Sequence, residues 1–205
     1  MLSIDADANS QLNIIINDWN TDQAKQEERI AKLYQRLVVT EQGAASSRYA
    51  TEYSVYTINR FVTNHSLPPA IAEFIADKWQ IVLRNAILQS VSGIDQPDSE
   101  WPTLEKLTER LVFVFAKHNR AKNESLFVKG EGLIDELAGL ANQYNVEISN
   151  DQWESIQQLL IAVLQGTNID RTPVVIRKPD IDFANTSVPS EKEVLDKEGR
   201  WYLVN

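Results

Sequence analysis

At 205 residues with 43% hydrophobic side chains, the chain is long enough to bury one ordinary core without staples. Its 29 acidic against 20 basic residues give a net charge of -9, which opposes a phosphate backbone and disfavours direct binding of DNA or RNA. The absence of cysteine excludes disulfides, thiolate metal sites and a cysteine nucleophile.

The opening residues, Met1-Leu2-Ser3-Ile4-Asp5-Ala6-Asp7, lack a basic start followed by an apolar run, so no secretory signal is expected and the expected compartment is the cytoplasm. The longest apolar runs, such as Leu159-Leu160-Ile161-Ala162-Val163-Leu164, fall far short of the ~20 residues that cross a bilayer, and no membrane span is expected.

In chain order, apolar character begins at Leu12, Ile14, Ile15, Ile16 and Trp19, which read as a short helix that Trp19 staples to the body. Asn20-Thr21-Asp22 offers capping side chains before a second helix, Gln23 to Val38, rich in strong helix formers and carrying Ile30, Leu33, Tyr34 and Leu37 on one face. Gly43 and the small residues after it mark a break, and a third helix runs from about Tyr49 to Asn64. Pro68-Pro69 opens the fourth, because proline is tolerated in a first turn whose N–H groups have no helical partner. Its stripe is Ile71, Phe74, Ile75, Trp79, Val82, Leu83, Ala86 and Ile87, a wide apolar face suited to a multi-helix core.

Gly93 to Ser99 is a loop, and a fifth helix starts between Ser99 and Thr103 with Leu104, Leu107, Leu111, Val114 and Phe115 inward. A sixth runs from about Ser125 or Glu131 to Tyr144 and uses Leu133, Ile134, Leu137, Leu140 and Ala141. The seventh has the strongest start signal: Ser149 caps it, Gln152 completes a capping box, and Ile148 with Trp153 forms a hydrophobic staple. Its core face is Trp153, Ile156, Leu159, Leu160, Val163 and Leu164, and Gly166 stops it. Beyond Gly166 the prolines at 173, 179 and 189 punctuate short β-favouring pieces, an extended arm whose aromatic end, Trp201-Tyr202-Leu203, is unlike an ordinary disordered tail.

Leu67-Pro68-Pro69, Phe74-Ile75, Lys78-Trp79, Val82-Leu83 and Ser99-Glu100-Trp101 carry a resemblance. Over about Tyr49 to Gly166 the chain resembles the C-terminal half of a large bacterial family of uncharacterised helical proteins, sometimes labelled thymidine phosphorylase-like. The resemblance implies a helical fold and a bacterial or phage origin, with the N-terminal half of longer members missing. It implies no chemistry: a phosphorylase of that class needs a glycine-rich phosphate cradle, and the 7 glycines here form no such cluster.

Other chemistry is equally thin. His65 and His118 have no His, Asp or Glu partner at ligand spacing, so each reads as a loop or helix-end residue. Asp95, Asp98 and Glu100 form an acidic loop, but Gln96-Pro97 breaks the calcium-loop order and capping explains them better. Gly130-Glu131-Gly132 has no preceding strand and no following Lys-Ser/Thr, and reads as a helix break.

The expected fold is therefore all-α: an irregular bundle of six or seven helices within residues 1–166, followed by an extended arm, residues 167–205, that adds a short β element. The expected role is a non-enzymatic protein-binding module with no catalytic residue, metal or cofactor. Its contacts are assigned to Trp201, Tyr202 and Leu203, and to Trp101 as a half-exposed aromatic at a helix start. The partner is a protein of unknown identity. Two alternatives stand beside this: a structural subunit that clasps neighbours, in a homo-oligomer or larger particle, through the arm, and an acidic nucleic-acid mimic that blocks a basic cleft.

Overall fold

The computed structural model describes residues 3–90, 100–117, 123–174, 177–181, 183, 193–195 and 201–203, with side chains from residue 16 onward outside 121–124 and 193–203. The chain divides into two units, residues 1–46 and 47–205, and the arm belongs to the second. The fold is all-α with small two-stranded additions. No helix among the described residues is long and apolar enough to cross a membrane.

The three helices expected over the first 64 residues are one, α1 (Ser3–Val62). The reason is visible in the residues that should have ended it. Thr21 Oγ1 donates back to Asn17 O at 2.7 Å and Thr40 Oγ1 to Arg36 O at 2.8 Å, so both hydroxyls bond the helix they sit in instead of capping a new one. Gly43 lies inside the helix with nothing within 4 Å of where a Cβ would be. Its cost of about 1 kcal/mol relative to alanine is absorbed by the good helix formers around it. Lys25–Asp22 and Lys32–Glu28 pairs at 3.3 and 2.5 Å line the surface; their side chains are all more than 60% exposed, so each adds only a few tenths of a kcal/mol.

In the second unit, β1 (Ser66–Leu67) follows α1, and Pro68-Pro69 then starts α2 (Pro69–Phe74) as expected. A π-helical turn, Ile75–Trp79, joins α2 directly to α3 (Gln80–Gln89). Ile71, Phe74, Ile75, Trp79, Val82, Leu83 and Ala86 are all buried. Trp79 is fully covered, and its indole donates to Thr108 Oγ1 at 2.9 Å, while that hydroxyl donates to Leu104 O at 2.7 Å.

Helix α4 (Trp101–Phe115) buries Leu104, Leu107, Leu111, Val114 and Phe115, the expected face. The region of the sixth helix, expected to start at Ser125 or at Glu131, holds two helices, α5 (Asn123–Gly130) and α6 (Leu133–Gln143). Gly132 causes the split: it adopts φ +67°, a left-handed backbone that helices do not continue through. Arg110 of α4 holds the corner, donating Nε to Lys129 O at 2.5 Å and Nη2 to Glu131 O, and pairing with Glu136 at 2.8 Å. Helix α7 (Asn150–Leu164) begins at the Ser149 cap, which accepts from Gln152 N at 3.3 Å. Gly166, at φ +72°, follows its end. One hydrophobic core unites Ile58 and Val62 of α1 with the inward faces of these helices, and Trp153 packs on its edge, 5.7 Å from Phe74.

Candidate interaction surfaces

The first half of the arm is not a free tail; its described residues are laid along the second unit and held at several points. Arg171 donates Nε to Phe115 O at 2.9 Å, which fastens the arm to the open end of α4. β2 (Thr172–Pro173) pairs antiparallel with β1, Ser66 opposite Pro173 and Leu67 opposite Thr172. Asn59 Nδ2 donates to Arg177 O at 3.0 Å. Glu52, only 5% exposed on α1, accepts from Arg177 Nη2 at 2.6 Å and from the Asp180 backbone N–H at 2.7 Å. Phe183 then inserts between Tyr49, Tyr53 and Tyr56, with ring centroids 5.7, 5.2 and 5.3 Å away.

These contacts set the local electrostatics. The Arg177 hydrogen bond holds the Glu52 carboxyl below its ordinary value of 4.5, overcoming the upward push of burial. At the start of α4, Tyr144 donates its hydroxyl to Glu100 Oε2 at 2.6 Å, and burial together with that carboxylate raises the phenol well above its usual range. Neither arrangement gathers a base, an acid and a nucleophile.

The aromatics assigned to partner contact separate. Trp101 is 6% exposed, not half exposed: its ring sits 5.5 Å from Tyr53, inside the aromatic group that receives Phe183. It is a packing residue of the arm's dock. Trp201, Tyr202 and Leu203 form β4 (Trp201–Leu203), which pairs antiparallel with β3 (Glu193–Leu195), Val194 opposite Tyr202. The arm thus contributes β structure twice, once on the body and once at its own end.

A surface that the sequence reading left unassigned lies on the first unit. Ile16, Trp19, Ile30, Leu33, Tyr34, Leu37 and Val39 of α1 are 46–64% exposed. Trp19, expected to staple the first helix to the body, is 63% exposed. Isolated exposed apolar residues need no explanation, but a row of them along one helix marks a contact surface. The signal was present in the sequence. Ile16, Trp19, Ile30, Leu33 and Leu37 keep a seven-residue a/d spacing, interrupted by Gln23 and Gln26, that becomes continuous once the helix is.

No group of three or more His, Asp or Glu side chains able to hold a metal ion occurs among the described residues. His65 is exposed, and its carbonyl accepts from Val174 N at 3.4 Å as the β1–β2 pairing ends. His118, Asp95 and Asp98 lie outside the described residues. Glu131 and Gly132 form the turn between α5 and α6, a helix break as expected.

Residues 40–165 match the family described as protein of unknown function (DUF1631), third domain. The chain belongs to that family. The DUF1631 match agrees with the expectation of an uncharacterised helical family over about Tyr49 to Gly166, and its description carries no activity. It covers the later part of α1 and all helices through α7, and leaves outside it both the apolar row from Ile16 to Leu37 and the arm. No curated protein and no solved structure matches the chain.

Proposed function

We propose that this DUF1631 chain is a non-enzymatic, cytoplasmic protein-binding module that serves as an adaptor, regulator or assembly component, with the apolar row of α1 as its main contact face. The observation that supports the reading is that row itself: five large side chains at a/d spacing, each close to half exposed or more, along one face of α1. A helix of that pattern buries its stripe against another helix. The terminal β3–β4 pair, with Trp201, Tyr202 and Leu203, is a second contact element, since aromatic residues anchor interfaces. The docked stretch from Arg171 to Phe183 serves the body instead of a neighbour.

A photo-cross-linking residue placed at Leu33, at Tyr202 and, as a control, at exposed Glu154 of α7 tests this in living cells. The reading expects discrete protein adducts from position 33, with or without adducts from 202, and none from 154. No adduct from either 33 or 202 removes it. Deleting residues 184–205, which keeps the contacts described for Arg171 to Phe183, isolates the share of the terminal strands.

A further inference from the structure

The inference about α1 rests on reading its apolar row as a protein-binding face, and it concerns what covers that face. The a positions are Ile16, Gln23, Ile30 and Leu37; the d positions are Trp19, Gln26, Leu33 and Thr40. A partner helix must therefore supply apolar residues at both ends and tolerate two adjacent glutamines in the middle, because a buried amide without a hydrogen-bonding partner is costly. The α1 helix itself satisfies that requirement when a second copy runs in the opposite direction. Ile16 then meets the second copy's Leu33, Trp19 meets its Ile30, and Gln23 meets its Gln26, with the same layers repeated by symmetry. Leu37 falls opposite Leu12 at each end.

The flanking positions decide between orientations. They are Asp22, Arg29 and Arg36 at g, and Asn20, Glu27, Tyr34 and Glu41 at e. In the antiparallel register g faces g and e faces e, so Asp22 meets the second copy's Arg29 twice and Glu27 meets its Asn20 twice; no like charges are opposed. In the parallel in-register pair g faces the following e, which sets Asp22 against Glu27 twice, so that the two Arg36–Glu41 pairs are cancelled and no net attraction is left, and it stacks Trp19 on Trp19 in one layer. That arrangement opposes like charges and overfills a layer next to the two glutamine layers. The charge pattern, the matched glutamines and the exposed row together point to one occupant: we propose that α1 binds a second copy of itself as an antiparallel two-helix coiled coil centred between Gln23 and Gln26.

The chain has no cysteine, so introduced thiols report the geometry without background. In the full chain, Ile16→Cys mixed with Leu33→Cys is expected to form an interchain disulfide under mild oxidation, whereas each variant alone is not. Residue 16 of one helix lies roughly 25 Å along the axis from residue 16 of an antiparallel neighbour. Sedimentation of the full chain is expected to show a concentration-dependent dimer. Asp22→Arg, which turns two attractions into two repulsions, is expected to weaken it about tenfold, and adding Arg29→Asp is expected to restore it to within about threefold. These positions are exposed, and circular dichroism verifies that the variants keep their helix. A chain that stays monomeric at high micromolar concentration, or a disulfide formed by Ile16→Cys alone, overturns the proposal. The protein-binding reading falls separately, when the cross-linkers at 33 and 202 capture nothing.

Discussion

Removing Arg177 should destabilise the second unit more than removing the charge of Glu52. Arg177→Ala leaves a 5% exposed carboxylate with one remaining donor, the Asp180 N–H at 2.7 Å. A hydrogen bond to a charged group is worth about 1.5–3 kcal/mol; because Arg177 is half exposed and its end of the pair is screened, about 2 kcal/mol is expected. Glu52→Gln keeps a carbonyl acceptor and removes the cost of burying a charge, so about 1 kcal/mol is expected. In a unit of this size the larger loss lowers Tm by about 4–8 °C. Urea unfolding of the two variants and the double variant measures the coupling, expected near 1 kcal/mol. The pH dependence has a definite sign: a carboxyl held below its ordinary value stabilises above that value and loses its contribution as pH falls. The gap between the parent chain and Glu52→Gln should therefore close below pH 4.5. Additive losses, or a Glu52→Gln loss larger than that of Arg177→Ala, would refute the reasoning.

Thr108→Val, an isosteric change, strands the covered indole N–H of Trp79 and should cost about 1–3 kcal/mol in denaturant unfolding followed by tryptophan fluorescence. Phe183→Ala removes the ring between the three tyrosines and should raise tryptic cleavage after Arg177 about tenfold, with α-helical circular dichroism unchanged. Gly132→Ala should cost about 1–2 kcal/mol in urea unfolding, because a Cβ there meets only Glu136 Oε1 at an ordinary 3.5 Å and the loss is that of a left-handed backbone.

The helices of the second unit were legible where a residue type has one physical use. Pro68-Pro69 opens a helix because it cannot sit inside one, Ser149 with Gln152 caps α7, and the stripes of α3 and α4 are buried as their periodicity required. The first unit was misread where a residue type has two uses. Thr21 can cap a helix or bond back to the carbonyl four residues earlier, and Gly43 can end a helix or pass through it. Nothing local decides between them, and the long run of good helix formers did. That error hid the candidate interface, because the seven-residue spacing from Ile16 to Leu37 exists only on an unbroken helix. Trp101 was misplaced for a different reason. Its burial depends on Tyr53 and on the aromatic group that receives Phe183, residues far away in sequence.

The Glu52–Arg177 pair joins residues 125 positions apart, and during synthesis that separation becomes a delay. At a ribosomal rate of 5–20 residues per second, Glu52 waits roughly 6–25 s before its arginine is made. For that interval the tyrosines that will receive Phe183 also stand open to water. The row on α1, by contrast, is complete before any helix of the second unit has been translated. A nascent chain therefore completes its proposed pairing face before it can close its aromatic dock, which favours meeting a second chain early, in the vicinity of its own polysome.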